Sequence, residues 1–274
     1  MINIKKPEII YTLGILWADG SMIYSNPFKP SYGIVLSLLY KDYINIKKHI
    51  TKYINFKESI YINPAGNESI HARWYGKEIA NQLLDLDFKN KSYETPFKIL
   101  NIIPIKLQKY FWRGYFDGDG CIINKHNRSY INISSTYNQN WDEVIKLFKF
   151  LKINHYRLSR IKRKNKNKYS TIEIENIIDV LKFCDYIYQN RNKDKIGFDR
   201  KYDIYIKIKN KHKKRFKQFL NSGITKTQSK KWKAVIDKNN GKSIYLGVFK
   251  TKKEAKNYRL NYIKENDLTP FKYD

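Results

Sequence analysis

Two segments of this chain, TLGILWADG at residues 12–20 and WRGYFDGDG at 112–120, lie one hundred positions apart and share one pattern. Each is a largely apolar run with small residues four apart, Gly14 and Ala18 in the first, Gly114 and Gly118 in the second, closed by Asp-Gly. Four-residue spacing puts each small pair on one face of a helix. Such a face lets two backbones approach closely, a steric argument best known from membranes. The two motif helices are therefore expected to pack against each other. Gly20 and Gly120 suit the left-handed residue that ends a helix, which would leave Asp19 and Asp119 together at one end of the pair.

The stretch downstream of each motif is also repeated. After the first come an alternating stretch at 32–39, a helical stretch at 42–54, strand candidates at 59–63 and 69–75 around a Pro-Ala-Gly-Asn turn, and a helix at 78–86. After the second come strands near 121–124 and 130–135, a helix at 141–151, strands at 155–163 and 169–175, and a helix at 177–188. The order predicts an α+β fold of tandem, pseudo-symmetric αββαββα half-domains with antiparallel sheets, over residues 1–100 and 101–210. Residues 89–104, with Pro96 and Pro104 and little periodicity, read as the linker between them. Basic residues crowd 207–217 and a polar stretch comes next at 221–229, which puts a boundary near 222. Residues 222–274 then form a small sheet with one helix: 232–249 alternates like a hairpin around Asn240-Gly241, and 252–266 has helical periodicity.

Lys plus Arg number 54 against 25 Asp plus Glu, a net charge of +29. Such a field attracts a polyanion at long range. With 42% hydrophobic and 15% aromatic residues the chain has the apolar content of a folded body, which the lysines must decorate. Charge spread along the whole chain, rather than one amphipathic helix, favours nucleic acid over a membrane surface. From residue 200 onward 22 Lys plus Arg face 6 Asp plus Glu, a difference of +16, so the tail is expected to bind phosphate. Cys121 and Cys184, with five scattered histidines, cannot supply a structural zinc cluster and imply a reducing, intracellular compartment. Abundant Lys, Asn, Ile, Tyr and Phe, residues with A/T-rich codons, point to a bacterial or phage-infected cytoplasm or an organelle matrix. Lys5 and Lys6 ahead of the apolar run 9–18 imitate a secretory signal, but Pro7 and Glu8 interrupt it and a cognate run recurs near 115. Neither run is long enough to span a bilayer.

Two carboxylates about 5 Å apart at an effective dielectric near 20 repel by about 3 kcal/mol, and negative helix ends add to this. A divalent cation would relieve it. Oxygen-only ligand sets suit Mg²⁺, with Mn²⁺ as a substitute, and such an ion activates water and stabilises the leaving oxygen of a phosphodiester. A single Asp-Gly is usually just a turn, whereas two matched copies favour chemistry. The Asp117-Gly118-Asp119-Gly120 string is not a calcium loop, because Cys121 stands where a ligand is needed and no Glu closes it.

On these residues the two segments resemble the signature of the LAGLIDADG homing endonucleases in their fused single-chain form, over roughly residues 8–210. The resemblance puts the motif's metal-binding acid on Asp19 and Asp119 and its small third position on Gly14 and Gly114. It implies a monomeric, site-specific nuclease making a metal-dependent double-strand break in a long pseudo-palindromic DNA site, in the service of a mobile element such as an intron. It implies, too, that the carbonyls of Ala18 and Gly118 help hold the metal, and that Lys77, Lys91 or Lys195 assists nearby. Outward residues of 31–40 and 127–136 would enter the major groove. Trp17 departs from the pattern where the second copy keeps Asp117, but that position is not the usual ligand.

Trp232, Ala234, Ile236, Gly241, Tyr245, Leu246, Gly247, Phe249, Ala255 and Tyr258 resemble the DNA-binding domain of plant ethylene-response factors, the Apetala-two type. That resemblance implies a three-stranded sheet in the major groove with Lys231, Trp232, Lys233, Lys242 and Tyr245 near DNA. Trp232 and Tyr245 also suit the core of a small module. Two rival functions stand beside the nuclease: an intron RNA maturase and a non-catalytic DNA-binding regulator. Retention of both aspartates argues against pure binding, because without a metal their repulsion is unrewarded, and a DNA-binding tail argues against RNA. Met1 is no splicing nucleophile and Asp274 no splicing terminus, so an intein is not expected.

Overall fold

The computed structural model describes residues 3–23, 32–125, 128–162, 168–237 and 243–266. The chain divides into two units, Met1–Tyr205 and Ile206–Asp274. In the first, helix α1 (Pro7–Asp19) starts at a proline, where the missing N–H is one that a helix start leaves unbonded anyway, and is buried from Ile9 through Trp17. A helix buried on every side belongs inside a core. Its neighbour is the second motif helix, Gln108–Asp119, buried from Lys109 through Asp117. The two touch backbone to backbone at the expected glycines. A Cβ on Gly14 would stand 2.0 Å from the Phe111 carbonyl oxygen, and one on Gly114 would stand 2.2 Å from that of Tyr11.

Each motif helix leads into a four-stranded antiparallel sheet. The first consists of β1 (Gly20–Ile23), β2 (Gly33–Leu39), β3 (Lys57–Ile62) and β4 (Glu68–Tyr75), in the order β1-β2-β4-β3. Helices α2 (Tyr40–Ile50) and α3 (Lys77–Asp85) belong to this half. Next come a 3-10 turn (Phe88–Asn90), α4 (Phe97–Ile102), a second 3-10 turn (Ile105–Leu107) and the second motif helix, α5. The second sheet has β5 (Gly120–Lys125), β6 (Arg128–Thr136), β7 (Arg157–Ile161) and β8 (Tyr169–Ile174), in the order β5-β6-β8-β7, with α6 (Asp142–Phe150) and α7 (Ile177–Ile187). The predicted αββαββα order is thus present twice.

Strand alternation sets the buried face of each sheet. Leu36 lies opposite Gly20 and Ala72, and Ile133 opposite Gly120 and Ile172, all in the buried layer. Tyr43, Ile46 and Ile50 of α2 are buried in the first half, and Val144, Leu147 and Phe148 of α6 with Val180, Phe183 and Ile187 of α7 in the second. Each such side chain contributes about 1.5–3 kcal/mol relative to exposure. The opposite faces carry the alternate residues, Ser37, His71 and Arg73 in one sheet and Asn132, Ser134 and Thr136 in the other.

Two expectations are corrected. Gly20 and Gly120 are not left-handed: their φ values are −82° and −86°, in extended backbone that opens a strand. Glycine is needed there for space, since a Cβ would stand 2.5 Å from the Leu16 carbonyl oxygen in one case and 2.1 Å from the Phe116 ring in the other. Residues 89–104 are not a featureless linker, because Ile99, Leu100 and Ile103 bury α4 and its exit. Short α8 (Arg191–Asp194) leads into a long helix, α9 (Asp199–Asn221), where the sequence offered only a basic run. The chain divides inside α9, after Tyr205, and the strands of the small module begin at Ile224.

In the second unit β9 (Ile224–Lys226), β10 (Trp232–Asp237) and β11 (Ser243–Phe249) form a sheet of order β11-β10-β9, and α10 (Lys252–Glu265) packs on it. The Thr251 side chain accepts from the Glu254 N–H and the Glu254 carboxylate accepts from the Thr251 N–H, a capping box that fixes where α10 begins. Ala234, Ile236, Ala255 and Ile263 are buried. Arg259 joins them, its Nε donating to the Val235 carbonyl at 2.9 Å and its guanidinium 5.0 Å from the Phe219 ring. The expected turn at Asn240-Gly241 lies outside the described residues. No described helix is long and apolar enough to cross a membrane.

Candidate active site

The close crossing of α1 and α5 continues to their last residues. A Cβ on Gly118 would stand 2.3 Å from the Ala18 Cβ and 2.8 Å from the Asp19 carboxylate, so that carboxylate lies against the other helix. Asp19 and Asp119 therefore meet at the negative ends of two adjacent helices. Each retains some solvent access but is surrounded mostly by protein. Burial pushes Asp19 up to about 6, against the opposing pull of Lys201 and Lys91. Asp119 is pushed up to about 7, first by burial and then by the charge of Asp19. Both carboxyls are thus raised mainly by burial, and a charge on one makes the other harder to ionise.

Two lysines serve this end of the helices. Lys91, from the segment between the halves, donates from Nζ to the Ala18 carbonyl at 2.7 Å. Burial lowers its pKa while Asp119 and Asp19 raise it. Lys201, in the first turn of α9, donates to the carbonyls of Phe116 at 2.7 Å, Asp117 at 2.6 Å and Gly120 at 2.5 Å. Of these, the Asp117 carbonyl is one that the end of a helix leaves open, whereas that of Phe116 also accepts the Gly120 N–H and that of Gly120 opens β5. Burial pushes Lys201 down to about 8, with the charge of Asp117 opposing. Its neighbour Arg200 donates to both carboxylate oxygens of buried Asp42 on α2, each at 2.8 Å. The first turn of α9 thus ties the Asp119 turn to the first half.

Lys201 escaped the sequence reading, although Lys201, Tyr205 and Ile208 fall on one helical stripe and all three are buried. A lysine on an apolar stripe was the available signal. Of the other lysines read from sequence, Lys77 is exposed at the start of α3, and Lys195 is exposed in a left-handed turn after α8. The strongest cationic influences on the pair are Lys91 and Lys201 instead.

The two copies differ at one buried position. Trp17 packs edge-on against Phe88 at 5.6 Å and Phe111 at 6.2 Å between ring centroids. Asp117 is fully buried, and one of its oxygens accepts from the Tyr11 hydroxyl and the Phe198 N–H, both at 2.9 Å. Burial raises its pKa. Arg113, fully buried beside it, donates to the carbonyls of Ile187, Gln189 and Ile196 and to Asp194, which fastens the segment leading to α9.

Donors available to a metal are the two carboxylates and neighbouring peptide carbonyls, Ala18 and Gly118 among them. No cluster of three or more His, Cys, Asp or Glu suited to a metal occurs among the described residues. Hard oxygen donors in small number fit an ion that keeps several waters, as Mg²⁺ does, and do not fit zinc.

Of the strand residues expected to face outward, Ser31 and Asn127 lie outside the described residues. On the open face of the first sheet Ser37 shares a 2.8 Å hydrogen bond with His71 Nδ1, Tyr61 stacks on His71 at 4.2 Å, and Arg73 donates to Ser59 at 2.6 Å. In the second unit Lys231 is exposed before β10, and Lys233 lies 5.8 Å from the ring centroid of exposed Tyr245. Trp232 takes the other face: it pairs with Phe249, whose ring lies 5.2 Å from that of Tyr258 on α10. Lys242 lies outside the described residues.

Residues 106–188 match the LAGLIDADG-like domain family. No curated protein matches the chain. Among solved structures, the I-LtrWI LAGLIDADG homing endonuclease bound to target DNA is 14% identical, covering 78% of this chain and 92% of that one with a TM-score of 0.47. The LAGLIDADG meganuclease I-AabMI bound to uncleaved DNA is 13% identical, covering 76% and 92% with a TM-score of 0.47. The full-length DUF199/WhiA protein from Thermatoga maritima is 18% identical, covering 75% and 60% with a TM-score of 0.43.

Proposed function

We propose that this chain is a site-specific DNA endonuclease of the LAGLIDADG type, which makes a double-strand break with Mg²⁺ held between Asp19 and Asp119. The observation that carries the reading is the pairing of two raised carboxyl groups at the joined ends of α1 and α5 in a chain of net charge +29. Folding holds these groups together against their repulsion, and a cation is the partner that would make the arrangement favourable. Mg²⁺, when bound, would supply a Lewis acid and an activated water for phosphodiester hydrolysis. The Ala18 and Gly118 carbonyls would complete the protein's share of the ligands. Lys91 orients the Ala18 carbonyl and keeps positive charge against both carboxylates. Lys201 is a positioning residue, because it fixes the backbone on either side of Asp119. The open faces of the two sheets are the surfaces on which a duplex would lie, each half reading one side of a pseudo-palindromic site. Residues 222–274, with Lys231, Lys233 and Tyr245, would extend the footprint in the manner of the ethylene-response-factor domain, raising the local concentration of DNA at the site.

A supercoiled plasmid carrying the uninterrupted insertion locus tests this, with Mg²⁺ or EDTA, for wild type, Asp19→Asn and Asp119→Asn. Metal-dependent linearisation at one site, lost in both variants while DNA binding persists, is expected. Specific binding without cutting in any divalent metal would leave a regulator. Preferential binding of intron RNA would leave a maturase.

A further inference from the structure

Residues 206–221, the part of α9 in the second unit, carry seven Lys or Arg and no Asp or Glu. Lys207 and Lys211, Lys209 and Lys213, Lys211 and Arg215, and Lys213 and Lys217 are like charges one turn apart, which weakens an isolated helix. The sequence tolerates that repulsion along the whole exposed side: Lys207, Lys213, Lys214 and Lys217 are all exposed. Between this stretch and α10 lies a hollow of about 480 Å³, lined by Leu220 and Leu260, by Lys213, Lys217 and Lys256, and by His212 and Asn221. Among the described residues no carboxylate lines it, and none of these three ammonium groups has an acidic partner.

A small inorganic anion would satisfy the lysines and leave Leu220 and Leu260 uncovered. A membrane surface would call for apolar side chains projecting from the helix, and the exposed side offers lysines and Asn210 instead. A nucleic-acid backbone matches both features, with a phosphate for the lysines and the apolar face of a deoxyribose for the two leucines. Resting on the reading that duplex DNA is this chain's substrate, we infer that the hollow and the lysine stripe of α9 form a DNA-backbone surface. It is independent of sequence and separate from the open sheet face that bears Lys233 and Tyr245. Here the lysines hold phosphate through charge, so their contribution must depend on salt.

The test is equilibrium binding of the full-length protein to a duplex of arbitrary sequence, monitored by fluorescence anisotropy in EDTA from about 50 to 300 mM KCl. Wild type is compared with Lys213→Gln/Lys217→Gln/Lys256→Gln and with Lys106→Gln/Lys149→Gln/Lys193→Gln. The second set removes the same charge from exposed positions of the first unit. Each lost phosphate contact lowers the slope of log affinity against log salt by about 0.9, so the first variant should be shallower by about two to three and the second by less than about one. A Lys→Arg triple at 213, 217 and 256 should restore the wild-type slope, which a folding defect would not allow. An unchanged slope in the first variant, or equal changes in both, would overturn the inference. Wild type with no affinity for duplex DNA would overturn the nuclease reading along with it.

Discussion

Asparagine at position 119 keeps the shape of the aspartate and removes a charge that folding crowds. In the folded protein Asp119 holds its proton to about pH 7, against an ordinary 3.8. A carboxyl raised in this way binds its proton more tightly in the folded state. Its contribution is therefore fully present below the unfolded value and is lost as pH rises toward the folded one. Each pH unit across that window is worth about 1.36 kcal/mol, so the whole loss approaches about 4 kcal/mol. About two of those units lie between pH 5 and pH 8, which predicts that Asp119→Asn gains about 2–3 kcal/mol on wild type over that interval. Urea unfolding in EDTA at both pH values measures it, with tryptophan fluorescence reporting mainly the first unit through Trp17, Trp74, Trp112 and Trp141. With urea slopes of about 2–3 kcal/mol per molar, the variant's advantage in midpoint should widen by about 1 M at the higher pH. An advantage equal at the two values, or smaller at pH 8, would refute the claim that burial and Asp19 hold Asp119 protonated. Millimolar Mg²⁺ should then stabilise wild type at pH 8 and not the variant.

Metal entry has to displace the protons held by Asp19 and Asp119 at about 6 and about 7, so Mg²⁺ affinity should climb with pH across that range and level off above it. Calorimetry in two buffers of different ionisation enthalpy would count the protons released, and a pH-independent affinity would contradict the site. Gly114→Ala forces a Cβ to 2.2 Å from the Tyr11 carbonyl oxygen, between backbones that cannot both retreat, and should lower stability by at least about 2 kcal/mol in thermal unfolding. Arg200→Ala leaves the carboxylate of buried Asp42 without its bidentate partner; because Arg200 is half exposed, the expected loss is about 1–3 kcal/mol by urea unfolding. Lys201→Met should reduce cleavage while leaving duplex affinity near wild type, and a parallel loss of both would reassign Lys201 to general stability.

Legibility in the sequence tracked the physics that each residue obeys. Gly14 and Gly114 announced the helix contact because only a missing side chain permits it, and that requirement is local. The sheets were legible because alternation such as Ile34, Leu36 and Leu38 reflects one buried and one open face. Gly20 and Gly120 misled because glycine relieves two different constraints, positive φ and crowding, and composition does not separate them. Lysine density hid α9, whose buried stripe of Lys201, Tyr205 and Ile208 contains a residue that reads as solvent-facing until three carbonyls surround it. Lys91 was named through family resemblance, while its hydrogen bond to Ala18 depends on how residues 88–104 fold, which no periodicity encodes.

The hydrogen bond from Tyr11 to Asp117 makes the two halves complementary rather than equivalent. Positions 11 and 111 correspond, as do 17 and 117, yet the phenol belongs to one copy and its acceptor to the other. A symmetric dimer of the first half would pair Tyr11 with Trp17 and strand the hydroxyl. A symmetric dimer of the second would pair Phe111 with Asp117 and bury a carboxyl without that donor. Each half is therefore a specialist whose buried polar contact requires the other. The halves are not exchangeable parts, and two identical copies of either one could not associate in this way without first repairing this contact.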